Sequence, residues 1–301
     1  SPSSAASDVY KRQILNHPEV NMTFTFKEIP SQDMGVKIIT MSGVQRAPCE
    51  PQITSIPGRY NPLILEKQER QTTEITAELL VECPDNIRNI FSWLLGRGKL
   101  IFSDEPDKYY NVISDDVISI QRIDDRIQSF EIKFICEPFA YSVTNPFVST
   151  PMGMDDDTLT GSMTIINNGT AESEPKWYFS FAGKLRVTVN GSENPLIITT
   201  PGEYTGEYEA DVSGGTAKYY YDYKQQNIYV DVSSRLAYMF SGSKKLVVVN
   251  QTAGIFPALK PGENSIVVEL VREEWEHDGR IYKSHNQKLQ YLGYNKNERW
   301  Y

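Results

Sequence analysis

The sequence predicts a mainly β protein of two domains, each with its own core. Three observations support this prediction. The chain has 301 residues, which is enough for two ordinary domains. Apolar and polar side chains alternate with a period of two along many short segments, which is typical of strands with one buried face. Turn signals such as Asn-Gly and Pro-Gly separate the segments of the second half at regular spacing, as in a β-sandwich or a jelly roll.

The alternation is clearest in four segments, which are residues 74–81, 129–136, 176–181 and 185–189. Valine, isoleucine, tyrosine and phenylalanine are frequent in them, as expected for strands. Each segment is long enough to cross a sheet once. The pattern therefore predicts strands in both halves of the chain.

One amphipathic helix interrupts the strands. Its apolar side chains follow the i, i+3, i+4, i+7 spacing of a single helix face: Ile87, Ile90, Phe91 and Leu94. Pro84 and Asp85 suit the first turn of a helix, and Gly96 suits its end. The apolar stripe predicts packing against a sheet, and nothing on the helix indicates a catalytic role.

The strand pattern breaks over residues 142–162, which contain two prolines, two glycines and the acidic run Asp155 to Asp157. This composition predicts a linker between an N-terminal domain, residues 22–141, and a C-terminal sandwich, residues 163–271. Calcium binding by the acidic run is the less favoured alternative, because the spaced ligands and the turn glycine of a calcium loop are absent.

The two ends of the chain carry weak patterns. Residues 1–21 lack the basic region and apolar core of a secretory signal. We interpret them as a disordered leader or a non-native remnant, with natural translation starting near Met22. Residues 272–301 are charged and aromatic with weak periodicity, so the sequence leaves this C-terminal extension unplaced.

Composition excludes several classes of function. The net charge is −9 and no cluster of lysine and arginine stands out, which argues against specific nucleic-acid binding. No apolar run is long enough for a membrane-spanning helix, so we expect no membrane insertion. The three cysteines are odd in number and far apart, and therefore predict neither disulfides nor a zinc site.

No motif predicts an enzyme, a cofactor or a metal site. The histidines, His17, His277 and His285, lack the spacing of a metal-binding helix, and no nucleophile elbow or phosphate-binding loop is present. Adjacent carboxylates such as Asp124 and Asp125 leave a glycoside hydrolase only as a weak alternative, because adjacency does not place two carboxyl groups across a cleft.

Tyrosines crowd residues 204–229. Tyr219, Tyr221 and Tyr223 alternate along one segment and are candidates for a ligand or partner surface. The simpler interpretation is that the tyrosines of residues 219–223 cover both faces of a strand. An exposed cluster would favour a carbohydrate-binding module for adhesion to a host, which is our alternative function.

The order of features in the first half is distinctive. Residues 56–60 (Ile-Pro-Gly-Arg-Tyr) precede the helix, and residues 98–110 (Gly-Lys-Leu-Ile-Phe-Ser-Asp-Glu-Pro-Asp-Lys-Tyr-Tyr) follow it, before residues 130–138 (Phe-Glu-Ile-Lys-Phe-Ile-Cys-Glu-Pro). This series resembles the distal tail protein family of siphophages, chiefly those of Gram-positive hosts. The resemblance covers residues 22–141, and the second half matches more loosely. The family often has Asp-Gly after Pro-Gly-Arg, where this chain has Tyr60-Asn61, so the local turn differs.

The resemblance implies a structural protein that forms a hexameric ring at the phage tail tip. The N-terminal β-sandwich, with one α-helix and a protruding hairpin, would build the ring, and a galectin-like sandwich would follow it. The ring would join the tail tube protein to a tail-associated lysin or fibre protein, and in some phages to a receptor-binding protein. Such a protein is made in the host bacterial cytoplasm and resides in the virion. The galectin-like fold by itself implies no sugar binding.

We assign the assembly interface to residues 98–110. This segment is interpreted as two β-arms joined by a loop that reaches a neighbouring copy. The interface candidates are Phe102, Tyr109 and Tyr110, with Asp104 and Glu105 as charges of the loop.

Overall fold

A computed structural model of the chain describes residues 22–43, 47–49, 51–65, 70–81, 86–114, 120–122, 128–155, 157–209, 216–248 and 251–301. The expected leader, residues 1–21, and the residues expected to start the helix, Pro84 and Asp85, lie outside the described residues. The protein is mainly β, as predicted, and it folds as two compact units, Ser1–Val143 with Tyr301, and Thr144–Trp300.

The first unit contains ten strands and one helix among its described residues. They are β1 (Phe24–Phe26), β2 (Ile29–Pro30), β3 (Val36–Met41), β4 (Gln52–Thr54), β5 (Leu63–Leu65), β6 (Thr73–Val81), α1 (Ile87–Leu94), β7 (Gly96–Phe102), β8 (Lys108–Ser114), β9 (Ile120–Arg122) and β10 (Gln128–Ser142). The main sheet has the order β2-β1-β7-β8-β10-β6-β3, and β9 also pairs with β10.

The predicted N-terminal sandwich takes the form of one strongly curled sheet. Strands in a flat sheet lie about 4.8 Å apart, so β1 and β10, three steps apart in the order, would be separated by about 14 Å. The rings of Phe26 on β1 and Phe134 on β10 nevertheless lie 5.7 Å apart. A bulge between Cys136 and Ala140 bends β10, which allows the sheet to close over its own core.

Helix α1 covers this core, as its apolar stripe predicts. Ile90, Trp93 and Leu94 are buried. The Trp93 ring stacks on Phe24 at 5.6 Å, and its indole N–H donates to the carbonyl of Phe26 at 2.8 Å. The helix ends before Gly96, whose φ of +89° is a conformation that glycine adopts at little cost.

The second unit contains sixteen strands among its described residues. They are β11 (Val148–Met154), β12 (Thr160–Asn167), β13 (Lys176–Ala182), β14 (Lys184–Val189), β15 (Leu196–Thr199), β16 (Gly202–Glu209), β17 (Thr216–Tyr223), β18 (Gln226–Asp231), β19 (Leu236–Ser241), β20 (Lys244–Val247), β21 (Thr252–Ala253), β22 (Gly262–Leu270), β23 (Glu274–His277), β24 (Arg280–His285), β25 (Lys288–Asn295) and β26 (Arg299–Trp300).

Two sheets of this unit share one core. One sheet has six strands in the order β11-β25-β13-β18-β19-β20, and the other has five in the order β12-β22-β14-β15-β21. Their inward side chains form one buried apolar cluster, which includes Trp177, Phe179 and Phe181. The indole N–H of Trp177 donates to the carbonyl of Pro257 at 3.1 Å. None of the described side chains of a further sheet, β16-β17-β24-β23, belongs to this cluster.

The structure differs from the prediction at both ends of the second unit. The expected linker, residues 142–162, contains β11 and the start of β12, and β11 pairs with β25. Pro151 is tolerated because β11 is an edge strand. The unplaced extension, residues 272–301, supplies β23 to β26, and its Leu289 and Leu292 belong to the central core.

Candidate assembly site

Hairpin β4–β5 exposes apolar side chains on both of its faces. Ile53 lies directly opposite Ile64, and these side chains are 63% and 59% exposed. Leu63 and Leu65 flank Ile64 on the same strand, so they lie on the other face, and both are also exposed. The hairpin pairs with none of the other described strands.

The loop that connects β4 and β5 contains a tight turn with a proline and a glycine at its centre. Gly58 has a φ of +85°, and the amide of Arg59 donates to the carbonyl of Ile56 at 3.1 Å, which completes a turn at Pro57-Gly58. Tyr60 in this loop is fully exposed. Residues 52–65 thus form a hairpin apart from the main sheet, whereas the protruding hairpin was expected at residues 98–110.

A groove of about 600 Å³ lies along β3, an edge strand of the main sheet. One wall of the groove is the segment from Ile38 to Met41, and Met22 also lines it. The opposite wall is Phe102, Asp104 and Glu105, from the end of β7 and the turn after it. The curling of the sheet brings these walls together, and none of the described strands pairs with the outer edge of β3.

The segment from Gly98 to Tyr110 does not form an arm. Its strands, β7 and β8, occupy the middle of the main sheet, between β1 and β10. Phe102 and Tyr110 are only 3% and 6% exposed, and their rings lie 5.9 Å apart. Tyr110 is thus a core residue rather than an available interface residue, and Phe102 contributes only to the wall of the groove.

The turn between β7 and β8 is held by Glu105. Its carboxylate accepts a hydrogen bond from the hydroxyl of Tyr110 at 2.9 Å and from the ammonium of Lys108 at 3.0 Å. Burial, followed by the hydrogen bond to Glu105, raises the pKa of Tyr110 well above its ordinary value. Asp104 is exposed beside this turn. Glu105 therefore positions one wall of the groove, which the sequence alone did not indicate.

Tyr109 lies on the opposite face of β8 from Tyr110, because successive side chains alternate. Its ring stacks on Tyr141 at 5.5 Å, and the ammonium of Lys99 lies 4.3 Å from the ring centroid. Burial, followed by the charge of Glu137, raises the pKa of Tyr109. The five predicted interface residues thus separate into Phe102, Asp104 and Glu105 at the groove, Tyr110 in the core, and Tyr109 on another face.

The predicted tyrosine surface lies on β17 and is largely occupied by its neighbours. The Tyr221 ring meets Tyr204, Tyr223 and Trp275 at 5.0–5.4 Å, and its hydroxyl accepts the amide of Gly202. Tyr223 is 8% exposed. Tyr219 packs on Tyr282 at 5.5 Å. In this cluster Tyr223 is buried, and Tyr219 and Tyr221 are half-buried among neighbouring aromatic rings.

The described residues offer no metal centre, since no three of their histidine, cysteine, aspartate and glutamate side chains converge. None of the helices within the described ranges is long and apolar enough to cross a membrane.

Comparisons with known proteins match these features. Residues 74–136, from β6 to the first part of β10, match the model of the phage tail protein RIFT-related domain. The crystal structure of the Dit protein (gp 19.1) of phage SPP1, described as a paradigm of the hub adsorption apparatus in phages that infect Gram-positive bacteria, superposes with a TM-score of 0.59. That comparison covers 93% of this chain and 99% of the SPP1 chain at 14% identity, which shows a shared fold. No curated protein matches the sequence.

The two matches support the predicted resemblance independently, one by sequence and the other by structure. The family model rests on the sequence of the segment that forms the central strands of the curled sheet and helix α1. The structural match extends the shared fold over both units. Together they show a phage tail protein RIFT-related domain at residues 74–136 and a fold that the chain shares with the SPP1 Dit protein.

Proposed function

We propose that this protein forms a homo-oligomeric ring, expected to be a hexamer, at the distal end of a phage tail. The ring would join the tail tube protein to the tail-tip and baseplate proteins, including a tail-associated lysin or fibre protein. The observation that carries the proposal is hairpin β4–β5, whose apolar faces are both uncovered.

An isolated two-stranded hairpin is marginally stable in water, and three or more strands or a packing partner are needed for independent stability. Burying an isoleucine or leucine side chain contributes about 1.5–3 kcal/mol. Covering Ile53, Ile64, Leu63 and Leu65 would therefore stabilise the hairpin and the contact together. A second copy of the chain is the partner that every subunit of a ring has available.

The groove along β3 is the acceptor that we assign to the hairpin. Its wall of Ile38, Ile39 and Met41 is apolar, and edge strand β3 can extend its sheet by pairing with an added strand. Hairpin and groove are different surfaces, so the contact is heterologous and closes into a ring when its rotation permits. Phe102, Asp104 and Glu105 would then lie at the interface, as the sequence predicts.

The remaining partners follow from the proposed location in the virion. A ring at the tail tip would contact the tail tube protein on one side and a lysin or fibre protein on the other, with a receptor-binding protein as a further partner in some phages. The net charge of −9 would disfavour DNA adhering to the ring during passage. This role requires no catalysis.

The hairpin is tested by replacing Ile53 and Ile64 with aspartate. We expect Ile53→Asp combined with Ile64→Asp to abolish the oligomer, because two carboxylates would be buried in the apolar contact. The matched control is Ile281→Asp combined with Ile255→Asp, because these side chains have the same exposures, 63% and 59%, in the other unit. Light scattering coupled to size exclusion measures the mass. Equal oligomer content in the two double variants would refute the role of the hairpin.

The alternative function, a carbohydrate-binding adhesion module centred on Tyr219, Tyr221 and Tyr223, receives no specific support at that cluster. The rings pack against one another, and Tyr223 is buried. Burial, followed by the charge of Glu273, raises the pKa of Tyr223 to about 12, as expected for a core tyrosine.

A further inference from the structure

A row of aromatic side chains crosses the outer face of the six-stranded sheet. Tyr178 on β13 lies opposite Tyr229 on β18, which lies opposite Tyr238 on β19. Their ring centroids follow one another at 5.0 and 5.5 Å. Phe240 packs edge-on against Tyr229 and Tyr238, at 5.4 and 5.6 Å. We call these four residues, together with Phe147, the aromatic row.

The row faces away from the core. The side chains that alternate with it, including Phe179, Ile228 and Ala237, are buried between the two sheets. Phe240 is 51% exposed. The row therefore lies on the outer sheet face, where Phe240 is exposed and Tyr178, Tyr229 and Tyr238 are half-buried.

Phe147 extends the row at its other end. It is 52% exposed, and its ring lies 6.0 Å from that of Tyr178. The ring occupies the space above Gly293, where an added Cβ would lie 2.2 Å from the ring. Glycine at this position thus allows an aromatic ring to lie on the sheet, which lengthens the row across β25.

The end of the row at β19 and β20 is positively charged. The ammonium of Lys245, which lies opposite Phe240, is 3.6 Å from the centroid of the Tyr238 ring, whereas Lys244 lies on the other face of β20. Residues 232–262 contain four lysines and arginines and no aspartate or glutamate. In a chain with a net charge of −9, this segment is a local region of the opposite sign, which favours an anionic partner.

We propose that the aromatic row and Lys245 bind an anionic polysaccharide. The faces of sugar rings carry C–H groups with partial positive charge, which pack on the negative faces of aromatic rings. A carboxylate or phosphate group of the polymer pairs with Lys245.

Hydroxyl groups along the row suit the same partner. The Tyr178 hydroxyl donates to the side-chain oxygen of Asn227 at 3.2 Å, so its oxygen remains available as an acceptor. Burial, followed by the neighbouring tyrosines, raises the pKa of Tyr229, so this hydroxyl stays protonated and able to donate. A site of ring faces, hydroxyls and an ammonium group matches a charged sugar polymer better than an apolar peptide.

Cross-strand aromatic pairs also stabilise sheets, so the test must measure binding rather than stability alone. Full-length protein is applied to surfaces that carry hyaluronan, a phosphodiester-linked polysaccharide, neutral dextran or polyphosphate. We expect saturable binding to at least one of the two anionic polysaccharides, at least ten-fold tighter than to dextran and to polyphosphate. Binding to polyphosphate that is equally tight would show simple charge attraction, and binding to neither anionic polysaccharide would overturn the proposal.

Variants locate the site. Phe240→Leu retains apolar bulk but removes the ring face, and Lys245→Gln removes one charge. We expect each to weaken binding at least ten-fold with unchanged thermal unfolding. Tyr204→Ala is the matched control, because Tyr204 is a 46% exposed aromatic residue of another sheet. Unchanged binding by Phe240→Leu would contradict the stacking, and the variant with Ile53→Asp and Ile64→Asp should still bind, since this site does not depend on the ring.

Discussion

At the scale of the residue, several side chains have roles that their sequence patterns did not show. Glu105 was expected to be a loop charge, but it holds the β7–β8 turn through Tyr110 and Lys108. Tyr110 and Tyr223 were expected at surfaces and lie in cores. Periodicity identifies the two faces of a strand, but it does not tell which face a neighbouring element will cover. Aromatic residues on either face therefore remain ambiguous in sequence.

Because the thiol of Cys136 is buried, we predict that the folded protein loses stability at alkaline pH. Burial raises its pKa to about 12 in the folded protein, whereas an unfolded cysteine titrates near its ordinary value of about 8.5. Above that ordinary value the unfolded chain loses a proton that the folded protein retains, so stability falls as pH rises. We expect the free energy of unfolding to fall by up to about 2 kcal/mol between pH 8.5 and 10 from this group.

Denaturant titrations at several pH values measure this effect. The free energy of unfolding of Cys136→Ala should be lower than that of the unmodified protein at pH 7. Above pH 8.5 it should fall less steeply with pH. Cys49→Ala is the control, because Cys49 is only partly buried and its replacement should leave the slope unchanged. Identical slopes for Cys136→Ala and the unmodified protein would contradict the prediction.

At the scale of the element, long alternating strands and the helix were predictable, and short or interrupted ones were not. Strand β6 and helix α1 carry uninterrupted patterns, and both occur where the sequence predicts them. Hairpin β4–β5 has three residues per strand, too few for a period to be recognised. The ladder between β13 and β25 shifts register near Phe181, so the alternation of β25 is broken and the sequence left it unplaced.

We expect Lys27 to stabilise helix α1 measurably. Its ammonium donates to the carbonyl of Trp93 at 3.1 Å and to that of Leu95, at the C-terminal end of the helix. Cations at this end satisfy unpaired carbonyls and favour the helix dipole. We expect Lys27→Met to lower the free energy of unfolding of the first unit by about 1 kcal/mol. Lys260→Met, at an exposed position in the other unit, should change it by less than about 0.5 kcal/mol.

At the scale of the whole molecule, the sequence predicted the fold class and the family resemblance better than the site. The fold depends on many strands, so errors in a few short elements leave it intact. The proposed assembly site depends on curling of the sheet, which places β3 and the end of β7 along the same groove. A curl arises from a bulge and from packing between distant strands, and neither is visible as a local pattern.

The mass of the native assembly tests the central claim most directly. Native mass spectrometry is applied to the protein alone and to mixtures with a tail tube protein and a fibre protein. We predict a particle with six copies of the 34.3 kDa chain, alone or with these partners. A protein that remains monomeric at tens of micromolar, and remains so with its tail partners, would contradict the ring.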